Sequence, residues 1–149
     1  MNRSINSKST DELLKMIQDD PGKFAKKISS CNLEFDKPQR FTELLTQYMD
    51  SRNVKSNDLV ISANLSKPYI YNLLSGARNP GRNIVFRIAL ALGLNFDETQ
   101  NLLKSAEKPV LSPKVRRDAG IICCLLQGYN PTETDEYLRS IDEDPLFEE

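Results

Sequence analysis

No histidine occurs among the 149 residues. Histidine is the commonest general base, so its absence removes the Ser-His-Asp and Cys-His arrangements of nucleophilic catalysis. Cysteine is scarce as well. Cys31, Cys123 and Cys124 are the three, and a vicinal pair inside an apolar run does not supply four zinc ligands at workable spacing. They read as small core side chains in a reducing compartment. Gly76, Gly81 and Gly93 make no phosphate-cradling pattern. The apolar window Ile121–Leu126 is far shorter than the roughly 20 residues of a membrane span. The opening MNRSINSKSTDE lacks the apolar run of a secretory signal. From these absences we expect a cytoplasmic protein that is not an enzyme, with no metal, no cofactor and no membrane partner.

What is present is an ordinary globular composition, 39% apolar and 28% charged, in a chain long enough for one sizeable core but not for two independent ones. Net charge is −1, but the charges are unevenly placed. From Leu59 to Phe96 there is no acidic side chain, and Lys67, Arg78, Arg82 and Arg87 lie in that window. The end of the chain, TETDEYLRSIDEDPLFEE, is acidic throughout except for Arg139. A local basic patch is therefore paired with an acidic tail, which would compete for that patch and lower nonspecific DNA affinity.

Nearly every segment carries helical periodicity, and none alternates convincingly as a strand. Ser9 and Glu12 form a capping box that opens a helix with Leu13, Leu14 and Ile17. Asp20-Pro21 starts a second short helix bearing Phe24 and Ile28, and SSCNLEFDKP reads as a connector. Phe41, Leu44, Leu45, Tyr48 and Met49 then fall at the spacing of one helix face. The second half echoes itself. LALGLNFDETQNLLKS (90 to 105) aligns without gaps on LLQGYNPTETDEYLRS (125 to 140), matching Gly93 to Gly128, Asn95 to Asn130, Glu98 to Glu133 and Leu103 to Leu138. Each copy encodes a helix closed by glycine and a second opened by an Asn cap, so each is a helical hairpin. An ancient duplication and shared capping chemistry explain this echo equally well. IVFRIALALGL, with Arg87 its single charge, is apolar on nearly all sides and needs cover on more than one face. IICCLL in the second hairpin has the same property, so residues 107–140 are expected to pack on the preceding domain.

Val54, Leu59, Ala63, Leu65, Ser66, Tyr69, Ile70, Leu73, Gly76, Arg78, Asn79 and Pro80, followed by Val85, Ile88, Ala89, Leu92 and Gly93, form one ungapped pattern. With the helix before it, this stretch (41 to 94) resembles the helix-turn-helix of the lambda-repressor/Cro-like (XRE-type) family of DNA-binding regulators. The implied architecture is all-α: an N-terminal helical extension (1–36), a helix-turn-helix domain (37–106), a C-terminal helical hairpin packed on it (107–140), and an acidic tail (141–149). Asn64 stands where the family has glycine, and asparagine tolerates the left-handed conformation that turn needs. Ser66 caps the reading helix, and Pro68 falls in its first turn, where a missing amide hydrogen costs little. Ile70, Leu73 and Leu65 are expected to point inward.

Carried over by position, the resemblance implies double-stranded DNA as partner and a homodimer, with Lys55 and Ser56 at phosphates. It places Lys67, Pro68 and Asn72 at bases, Ser75 and Arg78 at the flanking backbone, and Arg82 among the phosphate anchors. Departures from the family point elsewhere. Ser56 replaces glutamine, Val60 replaces alanine, and Leu74 replaces glutamate, while Tyr71 and Leu74 add apolar surface to a helix that should be polar toward a groove. Leu74 reads either as packing against the N-terminal helices or, with Tyr71, as a surface for a protein partner. The alternative to DNA binding is therefore an interaction module built on the same scaffold.

Overall fold

A computed structural model of the chain describes residues 10–29 and 40–147. The described residues form nine α-helices and no strand, so the fold is all-α. They divide into two compact units, 10–29 and 40–147. Ser9, Cys31 and the connector after Ser29, which itself ends the second helix, lie outside the described residues, as do the last two glutamates.

The first unit is a pair of short helices, α1 (Thr10–Asp19) and α2 (Pro21–Ser29). Asp20 starts the second: its carboxylate accepts from the Lys23 amide at 3.1 Å, and Pro21 occupies the first helical position, where no amide hydrogen is needed. Phe24 is buried, whereas Leu14, Ile17 and Ile28 are exposed.

The second unit begins with α3 (Phe41–Ser51), which buries Phe41, Leu44, Leu45 and Met49 as their spacing predicts. Next come α4 (Ser56–Ser62) and α5 (Lys67–Ser75). Between them Asn64 takes the left-handed conformation, φ 54°, that asparagine tolerates. Ser66 Oγ accepts from the Tyr69 amide at 3.2 Å and so caps α5, with Pro68 in the first turn. Gly76 ends α5 at φ 82°, where a side chain would be strained. Leu65, Ile70 and Leu73 are buried, as expected.

Two hairpins complete the unit: α6 (Arg82–Leu92) with α7 (Phe96–Ser105), and α8 (Arg116–Leu126) with α9 (Pro131–Ser140). Helix α6 buries Val85, Phe86, Ile88, Ala89, Leu90 and Leu92, and it is covered by α4, α7 and α9. Helix α8 packs in turn on α7 and α9. Its cover is thinner than IICCLL implies: Ile121 and Cys124 are buried, but Cys123 is exposed and Leu126 is 74% exposed.

The echo between the hairpins reaches well beyond the caps. In both, the Asn amide donates to the Glu carboxylate at 3.0 Å while the Asn side chain accepts from the Glu amide at 2.8 Å. Outside the caps, Arg82 donates to the carbonyls of Pro109 and Val110, and Arg117, thirty-five residues on, donates to those of Asp144 and Pro145. Glu107 and Asp142 both take positive φ, and Leu111 and Leu146 are both buried. The arginines also cross over. Arg82 binds Asp118, the residue after Arg117, and Arg117 binds Asn83, the residue after Arg82. Such reciprocity is what a two-fold relation between the hairpins produces, and capping chemistry alone does not require it.

This correspondence recasts the end of the chain. Residues 141–147 run back over the second unit as the counterpart of the segment after α7. Leu146 is 1% exposed, the Phe147 amide donates to Asp135 at 2.9 Å, and the Phe147 carbonyl accepts from Arg139 at 2.9 Å. Glu143 pairs with Arg116, so not all of the acids here are free to compete for a basic patch. Replacing Leu146 with alanine is expected to cost about 2–5 kcal/mol, the usual range for a buried leucine, read as a lower urea midpoint with an unchanged slope. A loss under about 0.5 kcal/mol would show that the segment is not part of the core.

Candidate nucleic-acid interface

The sequence-predicted residues fall on three consecutive pieces of backbone. Lys55 precedes α4, where its amide donates to Asp58 at 2.9 Å, and Ser56 opens the helix; both side chains are exposed. On α5, Lys67, Pro68 and Ser75 are exposed, Tyr71 is 72% exposed, and Asn72 is half-buried. The Asn72 carbonyl accepts from the Ser75 hydroxyl and the Arg78 amide at 3.2 Å each, which folds the exit turn back onto the helix. Among the described residues no hydrogen bond reaches the Asn72 side-chain amide, so both its donors and its acceptor stay open. The exposed Arg78 guanidinium lies over the Tyr69 ring, 4.8 Å from its centroid, an arrangement that orients the cation.

Arg82 does not belong with these residues. Its guanidinium binds Asp118 through two parallel bonds of 2.9 and 2.8 Å and also donates to two linker carbonyls. Asp118 is only 2% exposed, so this pair is largely desolvated and holds α6, the linker and α8 together. Burial pushes the Asp118 carboxyl upward, but the bonds from Arg82 and the Ser112 amide, with the positive charges of Arg82 and Arg117, outweigh it and leave the group below its ordinary range. Asp135 is also held low: its burial is outweighed by the Phe147 amide and by Arg139.

Arg87, the second arginine of α6, is engaged too. It donates to the carbonyls of Ala63, at 3.0 Å, and Asn64 in the α4–α5 turn, and stacks on Phe147 at 4.4 Å. Burial pulls its pKa below the usual arginine value, with Tyr69 and Asp135 acting in the opposite direction, and the group stays charged. Arg52 pairs with Glu98 at 2.6 Å. Lys55, Lys67 and Arg78, by contrast, have no ion pair among the described residues.

Leu74 is half-buried against the core of its own unit, which leaves Tyr71 without the apolar neighbour expected beside it. Ile61 on α4, at 82% exposed, is the apolar side chain that sequence reasoning missed. Its signal was present, since Ile61 lies off the face set by Leu59 and Ala63. Arg40, just before α3, was also missed. It lines a cleft with Ser75, Arg78 and Asn79, and no local pattern marks a residue brought there by the packing of α3. Cys124 is the small core side chain expected. Burial raises its thiol pKa, while its contact with the Thr134 hydroxyl falls short of hydrogen-bond geometry and leaves that oxygen unpaired.

No protein-family model matches the chain, and no curated protein and no solved structure matches it either.

The two kinds of arginine separate experimentally. Asp118→Asn is expected to cost about 2–3 kcal/mol, less than for a fully buried pair because a quarter of the Arg82 side chain remains in water. Arg78→Ala should stay within about 0.5 kcal/mol of the parent. Because the folded Asp118 pKa is depressed, its stabilisation is present above about pH 4 and is lost as pH falls through the folded value. Urea midpoints measured from pH 7 downward should therefore fall less steeply for Asp118→Asn than for the parent. Parallel curves would remove Asp118 from the acid limb.

Proposed function

We propose that the protein is a DNA-binding regulator in which α4 and α5 work as a helix-turn-helix and the start of α5 enters the major groove of double-stranded DNA. One observation carries this reading: within the acid-free window the cations divide by role, Arg82 and Arg87 held by the fold and Lys67 and Arg78 not. Arg52, Arg82, Arg87, Arg116, Arg117 and Arg139 are held by carboxylates, carbonyls or Asn83 within the fold. Lys67 and Arg78 remain without an ion pair at the start of α5 and in its exit turn, inside the stretch from Leu59 to Phe96 that holds no acid, and Lys55 remains without one on the cap of α4, three residues before Asp58. A protein gains nonspecific DNA affinity by placing such cations at phosphates, and gains specificity from the few side chains that reach base edges.

Lys67 donates to guanine and Asn72 makes a paired contact to adenine; Pro68 offers an apolar contact to a thymine methyl. Ser56, Ser75, Lys55 and Arg78 anchor the flanking backbone. Tyr71 stands on the same exposed face. A single α5 reads a short site, so the working form is a homodimer on two half-sites about one helical turn apart. The reading makes the protein a binding protein rather than an enzyme and requires no cofactor.

A second reading is favoured by Ile61 and Tyr71, two large side chains largely exposed on the same helix pair. Tyrosine is enriched at protein interfaces, so this pair fits an interaction module that holds a protein partner in place of DNA.

Selection from a random duplex library distinguishes the two. We expect one enriched motif, relaxed at single positions by Lys67→Ala and by Asn72→Ala at a cost of about 1–3 kcal/mol each. Arg78→Ala should weaken all sequences alike. No enrichment, together with no salt-dependent retention of bulk DNA, would favour the interaction module.

A further inference from the structure

A cleft of about 400 Å³ opens between the start of α3, the exit turn of α5 and the end of α7. Two arginines line it, Arg40 from the residue before α3 and Arg78 from the turn, with Asn79 beside them. The walls meet closely: a side-chain carbon built on Gly76 would lie 3.8 Å from Thr42 Cγ2, so α3 seats directly against the turn. Among the described residues neither guanidinium has a carboxylate partner. Arg40 is hydrogen-bonded only through its backbone carbonyl, which accepts from the Leu44 amide at 3.0 Å, and Arg78 makes only its backbone bond and its contact with the Tyr69 ring.

Two arginines without an ion pair line the same cleft, and a guanidinium presents the planar donor fork that fits a phosphate. We propose that Arg40 and Arg78 together grip one phosphate of the DNA backbone, so that the start of α3 is part of the interface. This rests on the DNA-binding reading above. A phosphodiester in a duplex is the favoured source over a free anion because further unpaired cations, Lys67 and Lys55, continue on the neighbouring helices. Glu107, which also lines the cleft, acts against the grip. Glu107 follows the cap of α7 with its backbone at φ 58°, and its negative charge lowers affinity for any anion held there.

The test is fluorescence anisotropy of the full chain with a labelled duplex of about two helical turns, titrated over a range of salt. Arg40→Ala should weaken binding about three- to tenfold at low salt, and Arg40→Lys should recover part of that loss. The Arg40→Ala, Arg78→Ala double variant should lower the slope of log affinity against log salt by about 0.9, the contribution of one phosphate. Glu107→Gln should tighten binding, a gain that misfolding cannot imitate. Inorganic phosphate at matched ionic strength should leave the complex intact. If the double variant has the affinity and slope of Arg78→Ala alone, or if Glu107→Gln changes nothing, the shared grip is overturned while DNA binding stands. Displacement by inorganic phosphate identifies a free-anion site and overturns the assignment to the duplex. Absence of any salt-dependent binding by the parent overturns the DNA reading and this one with it.

Discussion

The second unit depends on the exchange between Arg82 and Arg117. Each arginine lies in the first turn of the first helix of a hairpin, satisfies two carbonyls of the segment that leaves that hairpin, and reaches across to the residue following its counterpart. Helix α6 makes this exchange necessary. Apolar on several faces, it stays out of water only if α9 lies against it, and the bond between Arg82 and the buried Asp118 fixes the register of the two hairpins. One member of the exchange is an ion pair and the other, Arg117 with Asn83, is a bond to a neutral acceptor. Its acid sensitivity is therefore concentrated at Asp118.

This constraint also decides which charges are left for a partner. Of the four cations in the acid-free window, Arg82 and Arg87 are used by the fold. Arg87 ties the α4–α5 turn to Phe147, so the far end of the described chain supports the turn on which α5 is presented. Lys67 and Arg78 remain, joined by Lys55 and Arg40 from flanking segments. The basic character of the window is thus only half available. What is available gathers around α5 and not along α6.

Features set by local chemistry were legible in the sequence. Ser66, Pro68 and Gly76 bound α5 through capping, proline tolerance and a left-handed closure, each a property of a few adjacent residues. The Asn95 and Asn130 capping boxes and the buried face of α3 were read the same way. Features set by distant partners were not legible. Nothing near Arg82 distinguishes it from Arg78, because its carboxylate partner lies 36 residues away. Leu146, set among acids, looked like part of a solvated tail until its equivalence with Leu111 placed it in the core. Leu74 was left open between packing and a partner surface because a helix read alone does not show which neighbour covers it, and it packs against the core of its own unit. Leu126 failed in the opposite sense: an apolar run implied burial, but too little of the fold reaches that end of α8.

DNA recognition by the α4–α5 face is the central claim, and nuclear magnetic resonance of the isotope-labelled chain titrated with duplex DNA at low salt tests it most directly. The expected result is a set of shifted amides confined to the start of α3, the cap of α4, and α5 with its exit turn, while the guanidinium signals of Arg82 and Arg117 stay in place. Shifts centred on α8 and α9, or none at any DNA concentration, would contradict it.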